Sequence, residues 1–305
     1  MITFLIRRLL WVIPVILVVS MLTFLLMHGI PGGPFDAEKA LPQVIIDNLN
    51  AKYHLDDPLW KQYLDYMWGF VRFDLGPSIA YRSRSVNEIL SDQWPVTALL
   101  GSVSFAIAFI GGVLLGTISA FRQNSIVDHA SMFISMLGLS IPNMALGPLL
   151  MWIFALNLKW LPAATWGTPA HIVLPAITLG TAFMASFARI TRASILQVIR
   201  EDYIQTARAK GVRESIVLIK HCLRNALIPV VTIAGPSFAA IMTGSMIVER
   251  IFAIPGIGKY YVTSVGNRDY PVVMAMTLIF ALAVVIMNLL VDVSYGILDP
   301  RIRYN

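Results

Sequence analysis

The sequence predicts an all-α integral membrane protein with six transmembrane helices and both termini in the cytoplasm. Three observations predict it. First, 57% of the 305 residues are hydrophobic and 13% are charged, whereas soluble domains carry about 25% charged residues. Second, six uncharged windows are long enough to cross a bilayer core, which takes about 20 apolar residues. Third, Lys and Arg concentrate in alternate connecting segments, the pattern that sets orientation. A mean hydropathy of +0.72 excludes a soluble two-domain α/β enzyme of this length.

The elements follow in order. The first window, Leu9–Met27, is preceded by Arg7 and Arg8 and ends in Met27-His28-Gly29-Ile30-Pro31, with no small-x-small cleavage site. It is expected to be a retained anchor, so residues 1–29 form the N-terminus and helix 1. Residues 30–95 form an external, periplasmic insertion. In it Asp57 precedes Pro58 as an N-cap precedes an N1 proline. Trp60, Leu64, Met67, Trp68 and Val71 then recur at helical spacing. A second short helix is expected from Pro42 to Tyr53, with Ile45 and Leu49 on one face. So few core positions make a marginal domain alone, so the insertion should pack over the external mouth or against a partner.

Residues 96–305 form the core, with windows Val96–Phe121, Ala130–Leu158, Trp160–Ala188, Asn225–Val248 and Tyr270–Val291. The run Trp160-Leu161-Pro162-Ala163-Ala164-Thr165-Trp166-Gly167 suits an interfacial turn. The fourth helix should therefore start near His171 and run towards Ile195. Pro142, Pro148, Pro175 and Pro236 are candidate kinks. The 14 methionines read as packing or lipid-facing residues.

Orientation follows from the loops. Arg7 and Arg8, Arg122 in the 122–129 loop, the 189–224 segment and the tail with Arg301 and Arg303 belong inside. The 189–224 segment holds eight basic and three acidic residues, and the 30–95 segment six basic and nine acidic. The net charge of +6 thus reflects topology rather than nucleic-acid binding.

The cytoplasmic segment 196–224 is the most informative. Gly211 interrupts a helical pattern, and Val212, Ile216 and Ile219 then form a stripe flanked by Arg213, Glu214 and Lys220. Alone, such a helix also suits a surface anchor. A helix–glycine–helix elbow between two spans is what a protein needs to hand a rigid lever to another protein.

Other chemistries find little support. There is no G-x-x-x-x-G-K-[ST]; Pro255-Gly256-Ile257-Gly258-Lys259 has the wrong spacing. The five histidines, at 28, 54, 129, 171 and 221, are not at metal-ligand spacing. No catalytic residue and no metal site is expected, which speaks against an intramembrane enzyme. The windows contain His171 and no acid or base, so a stand-alone secondary transporter lacks a midplane carboxylate. Cys222 reads as structural. Asp292 ends the sixth window and is expected in a structural ion pair with Arg189 or Arg192.

Stretches along the whole chain resemble the permeases of ABC importers, in the peptide branch. Gln205, Thr206, Ala207 and Gly211 stand at the positions of the E-A-A-three-residues-G loop of that family. Gln replaces the acid, Thr replaces the first alanine, and the following proline appears only at Pro229. Tyr203-x-x-Thr206-Ala207-Arg208-Ala209-Lys210-Gly211 and His221-x-x-Arg224-Asn225-Ala226-x-x-Pro229 match the branch. So do Arg7-Arg8-Leu9 with Pro14, Pro31-Gly32, Asp74-Leu75-Gly76, and Glu249-x-Ile251-Phe252-x-x-Pro255-Gly256-x-Gly258. Arg268-Asp269-Tyr270-Pro271, Asn288-Leu289-Leu290-Val291-Asp292 and Asp299-Pro300-Arg301-Ile302-Arg303 complete the set. Pro34-Phe35 and Ala51-Lys52-Tyr53-His54-Leu55-x-Asp57-Pro58 are most similar to the B-type permeases of oligopeptide importers. Dipeptide, glutathione and nickel relatives share most of the rest.

The resemblance implies the type I permease fold in the inner membrane. It implies a homologous second permease, two ATPase subunits that carry ATP and Mg, and an external binding protein that delivers peptide. No cofactor is implied in this chain. The coupling residues it implies are Gln205, Thr206, Ala207, Gly211, Val212, Arg213, Glu214, Ser215 and Ile216. Along the path for a variable peptide, small polar residues within the spans are the candidates: Ser140, Asn143, Thr181, Thr243 and Ser245. Each also reads as helix-packing glue. The charged, Gly/Pro-rich segment 249–271 suits either contact with the binding protein or a plain loop.

Overall fold

The computed structural model describes residues 2–31, 43–81 and 83–298. Gly32, Pro34-Phe35, Pro42 and the tail motif from Asp299 to Arg303 lie outside the described residues. Apart from one isolated bridge between Pro77 and Ser85, the regular structure among them is helical. Helices α1 (Ile2–Gly29), α2 (Gln43–Lys52), α3 (Leu59–Val71), α4 (Val86–Phe121) and α5 (Ile126–Ser140) come first. Next is α6 (Asn143–Leu150), which runs on as a π-helical stretch, Met151–Asn157. Then follow α7 (Ala170–Val198), α8 (Asp202–Ala209), α9 (Glu214–Ile216), a second π-helical stretch (Val217–Leu223) and α10 (Arg224–Ala226). Last are α11 (Ile228–Ile251), α12 (Ile257–Gly266) and α13 (Tyr270–Leu298).

Five single helices, α1, α4, α7, α11 and α13, are long and apolar enough to cross a membrane. The third expected span, a window over 130–158 with candidate kinks at Pro142 and Pro148, is not one continuous helix. There α5 and the α6 segment pass the same test only together, as a pair bent by 108°. The cause is local. Pro142 disfavours the helical region for the residue before it, and Ile141 sits at φ −100°, ψ 118°. Pro148 lies just ahead of the π-helical stretch, where it removes a further ladder donor.

The chain divides into two compact units. The first holds Met1–Leu5, Ala98–Ile254 and Val284–Asn305. Its packing is built around α7. Gly112 and Gly116 form a Gly-x-x-x-Gly pair on α4, facing α7 backbone. A Cβ on Gly116 would fall 2.4 Å from the Ala188 carbonyl oxygen, and one on Gly180 would fall 2.6 Å from that of Ser104. No larger residue permits this approach, the device by which membrane helices gain van der Waals contact. Phe105 and Phe109 of α4 set their rings edge-on to Phe187 of α7, at 6.1 and 5.4 Å.

The second unit holds Ile6–Thr97 and Pro255–Ala283. Helix α3 begins one residue later than expected. Pro58 stands at its N-cap and, having no polar side chain, makes no cap bond; the Asp57 carboxylate pairs with Lys61 at 2.9 Å. Of α2, the side chains of Ile45 and Leu49 lie outside the described residues. Helix α4 starts well before its apolar window. Ser85 Oγ accepts from Glu88 N at 3.2 Å and Ser85 N donates to Glu88 Oε2 at 3.1 Å, a reciprocal capping box.

The Arg268-Asp269-Tyr270-Pro271 motif resolves into a buried hub of this unit. Asp269, fully buried, precedes α13. Its carboxylate accepts from Ser78 Oγ, from Ile79 N at 3.2 Å and from Ala80 N at 3.1 Å. One carboxylate thus both starts α13 and fixes a turn of the insertion. Arg268 takes φ +55° to bring it there.

Candidate functional site: the elbow between α7 and α11

The elbow begins where α7 ends and Glu201 turns extended, at φ −68°, ψ 146°. Helix α8 then buries one residue, Ile204. Its end is a complete Schellman motif. Gly211 takes the left-handed conformation at φ +72°. Its N–H donates to Arg208 O at 2.9 Å, and Val212 N–H donates to Ala207 O at 3.2 Å. This backbone favours glycine, since an L side chain is disfavoured there by roughly 1–2 kcal/mol.

Across the glycine, Arg208 grips Glu214 with two hydrogen bonds, Nη2 to Oε1 at 2.7 Å and Nε to Oε2 at 3.2 Å. The guanidinium holds the Glu214 carboxyl below the usual carboxylate range, and the carboxylate raises the Arg208 guanidinium in turn. Tyr203 spans the other side. Its hydroxyl donates to His221 O at 3.3 Å and accepts from Asn225 Nδ2 at 2.7 Å. Both arms of the elbow are therefore tied to each other by side chains.

Beneath it lies a cluster of Ile204, Val217, Cys222 and Ala226 with Ala120 of α4 and Ile195 of α7. This corrects the expected apolar stripe. Ile216 and Ile219 are 45% and 67% exposed, while Val217 and Cys222 are fully buried. The reason is the π-helical turn, whose i to i+5 bonding winds the chain wider than an α-helix and puts Val217 and Cys222 on the buried side. Ala207 and Val212 pack against the same cluster. Burial raises the Cys222 thiol, which keeps it protonated and inert.

The residues expected to couple therefore divide. Ala207 and Val212 are half-buried, and Gly211 shapes the turn. Gln205, Thr206, Arg213, Glu214 and Ile216 face outward from the unit. The side chain of Ser215 lies outside the described residues.

A second feature of this end of the unit was not foreseen. Asp128, 2% exposed, accepts from Arg192 Nε at 2.9 Å and from Nη2 at 2.8 Å. It also accepts from Asn124 N at 2.9 Å and from Ser119 Oγ. One carboxylate thus binds α4, the α4–α5 turn and α7. Arg192 holds Asp128 through two parallel hydrogen bonds. Asp128 escaped sequence reading because it lies just outside the uncharged window, where an acid reads as a loop residue.

The pathway candidates are not brought together by one arrangement. Ser245 is fully buried, its single hydroxyl proton shared between Met242 O at 2.8 Å and Glu249 Oε1 at 2.9 Å. Exposed Thr243 and Ser140 return their hydroxyls to their own helices, Thr243 to Ala239 O at 3.2 Å and Ser140 to Met136 O at 3.0 Å. Thr181 sits where Gly138 of α5 touches α7, and Asn143 opens α6 after the bend.

Two family descriptions match the chain: an inner membrane component of binding-protein-dependent transport systems over residues 112–304, and the N-terminal part of such a component over residues 1–101. The chain belongs to this permease family. It is 50% identical to the dipeptide transport system permease protein DppB of Bacillus subtilis, over 94% of both chains. It is 42% identical to the oligopeptide permease OppB of Haemophilus influenzae over the full length of both. The glutathione permease GsiC of Pectobacterium atrosepticum is 43% identical, again over full length. Among solved structures, an inward-facing MetNI methionine ABC transporter chain matches with TM-score 0.55 at 17% identity. That match covers 69% of this permease and 96% of the other chain. An amino acid ABC transporter chain matches with TM-score 0.51 at 15% identity, covering 68% and 92%. These likenesses carry the fold, that of the ABC importer permeases. The permease is a multi-pass component of the inner membrane and not itself an enzyme.

Proposed function

We propose that this permease forms part of the path by which an ATP-driven importer moves short peptides into the cell. An external binding protein delivers the peptide, a homologous permease completes the path, and two ATPase subunits supply the energy. The peptide substrate is supported by the names of relatives at 40–50% identity. The B-type motifs favour oligopeptides, with dipeptides, glutathione and nickel as the alternatives within the family.

The observation that carries the mechanism is the braced elbow. An exposed rim of Gln205, Thr206, Arg213, Glu214 and Ile216 sits on a turn locked by a Schellman motif, an ion pair and an apolar cluster. That cluster includes residues of α4 and α7. A load applied to the rim therefore moves spans rather than bending a loop. Docked in an ATPase cleft, the elbow tilts α7 and α11 when the ATPases close. Such coupling requires that it bind differently in the two states.

The test is the ATPase activity of the purified four-subunit assembly with its binding protein, across di-, tri- and oligopeptides and nickel. Stimulation by peptides is expected. A response to nickel alone sinks the peptide assignment.

A further inference from the structure

Three motifs that the coupling mechanism leaves unused meet around one cavity. They are Lys52-Tyr53-His54-Leu55, Asp74-Leu75-Gly76 and Tyr270-Pro271, and all contribute to its lining. The cavity measures about 340 Å³ and lies wholly within the second unit. Small-molecule sites occupy roughly 300–1,000 Å³, so its size suits a single small ligand.

Its floor is apolar. Phe24, Leu75, Ile79 and Met274 are each less than a tenth exposed. The walls are aromatic and held in place. The His28 ring lies between Phe24, at 4.1 Å, and Tyr270, at 4.5 Å. Gln62 Nε2 donates to Leu55 O at 2.9 Å and to Asp57 O at 2.8 Å. The Tyr66 hydroxyl donates to Pro271 O at 3.4 Å, and burial pushes that phenol well up. Walls fixed by their own bonds need no ordering when a ligand enters, which is the advantage of a preorganised site.

The mouth carries charge of both signs. Asp65, Asp74 and Lys52 are exposed there. Asp74 Oδ1 accepts from Gly76 N at 3.2 Å, which orients its carboxylate. An acyl chain leaves these charges without a partner, and a plain anion meets two carboxylates.

We propose that this cavity binds an apolar residue carrying a zwitterionic pair, either a free amino acid such as leucine or the end of a short peptide. The apolar side chain fills the floor. Asp65 and Asp74 receive the ammonium, and Lys52 receives the carboxylate. Only the choice of a peptide as one source rests on the transport reading above.

The experiment uses the purified assembly with its partner subunits, without nucleotide or binding protein. It is titrated calorimetrically with L-leucine, leucyl-leucine and N-acetyl-leucinamide, which lacks both charges. Saturable binding of one or both zwitterions is expected, and none of the blocked compound. Binding of leucine marks a free amino acid as a source, and binding of the dipeptide alone marks a peptide end. Asp65→Asn and Lys52→Gln alter exposed side chains. Each is expected to weaken binding about tenfold, the scale of one charge-assisted hydrogen bond. No saturable binding of either zwitterion, equal binding of the blocked compound, or unchanged binding in both variants overturns the site. Peptide uptake by the same assembly, reconstituted into vesicles with ATP and its binding protein, separates the two readings. Binding without uptake contradicts the transport reading and leaves the cavity standing, and uptake without binding does the reverse.

Discussion

Val212 donates its amide to the carbonyl of Ala207 at 3.2 Å, so that the first arm of the elbow closes on itself before the second begins. Between them Gly211 supplies the left-handed turn. Ala207 and Val212 both pack on the same apolar cluster.

That geometry grades the substitutions of Gly211. Alanine adopts the turn at a cost of roughly 1–2 kcal/mol. Proline, fixed near φ −65°, cannot adopt it and also removes the bond to Arg208. Trypsin cleavage after Arg213 should therefore quicken modestly in Gly211→Ala and severely in Gly211→Pro. Equal rates in all three proteins would contradict the cap.

The Asp128–Arg192 pair predicts non-additivity. Removing one partner of a buried ion pair costs about 3–5 kcal/mol, because the other charge is stranded. Asp128→Asn and Arg192→Gln should each lower the thermal stability of the assembly. The double variant should be no worse than either single one, a result readable from melting curves in detergent.

The Arg208–Glu214 pair is exposed and is worth at most about 1 kcal/mol. The folded pKa of Glu214 is depressed by Arg208. Its contribution is therefore fully present above the unfolded carboxylate range and is lost as pH falls through the folded value. Protease resistance of the elbow should weaken slightly on acidification and in high salt, and Glu214→Gln should abolish both dependences.

Asp269 predicts a local effect at a distance in sequence. Asp269→Ala leaves Ser78 Oγ, Ile79 N and Ala80 N without their acceptor. A buried donor left unmade costs about 1–3 kcal/mol. Hydrogen exchange of the 79 and 80 amides should accelerate, along with the first turn of α13.

The spans were legible because length and the absence of charge are read directly from composition. The elbow was legible as a break at Gly211, for the left-handed turn there favours a glycine. Its buried face was not. A 3.6-residue period selects Ile216 and Ile219, whereas the π-helical turn buries Val217 and Cys222. The bend at Ile141-Pro142 was marked by its proline, yet nothing in the sequence separates a kink from a 108° break. The Gly112-x-x-x-Gly116 seam was a readable signal that apolar counting passes over. Asp128 and Asp269 required the fold, since their partners come from distant elements or other helices. Ser245 and Thr243 return their hydroxyls to their own helix, a bond that packing and path residues make alike.

The central claim is that the elbow transmits ATP hydrolysis to the spans. It is tested most directly by measuring peptide uptake and ATP hydrolysis together in proteoliposomes. The vesicles hold the assembly with Ala207→Asp or Gly211→Pro, at matched membrane levels. Uptake is expected to collapse while hydrolysis continues, so that ATP spent per peptide rises steeply. Normal uptake by either variant removes the elbow from the mechanism.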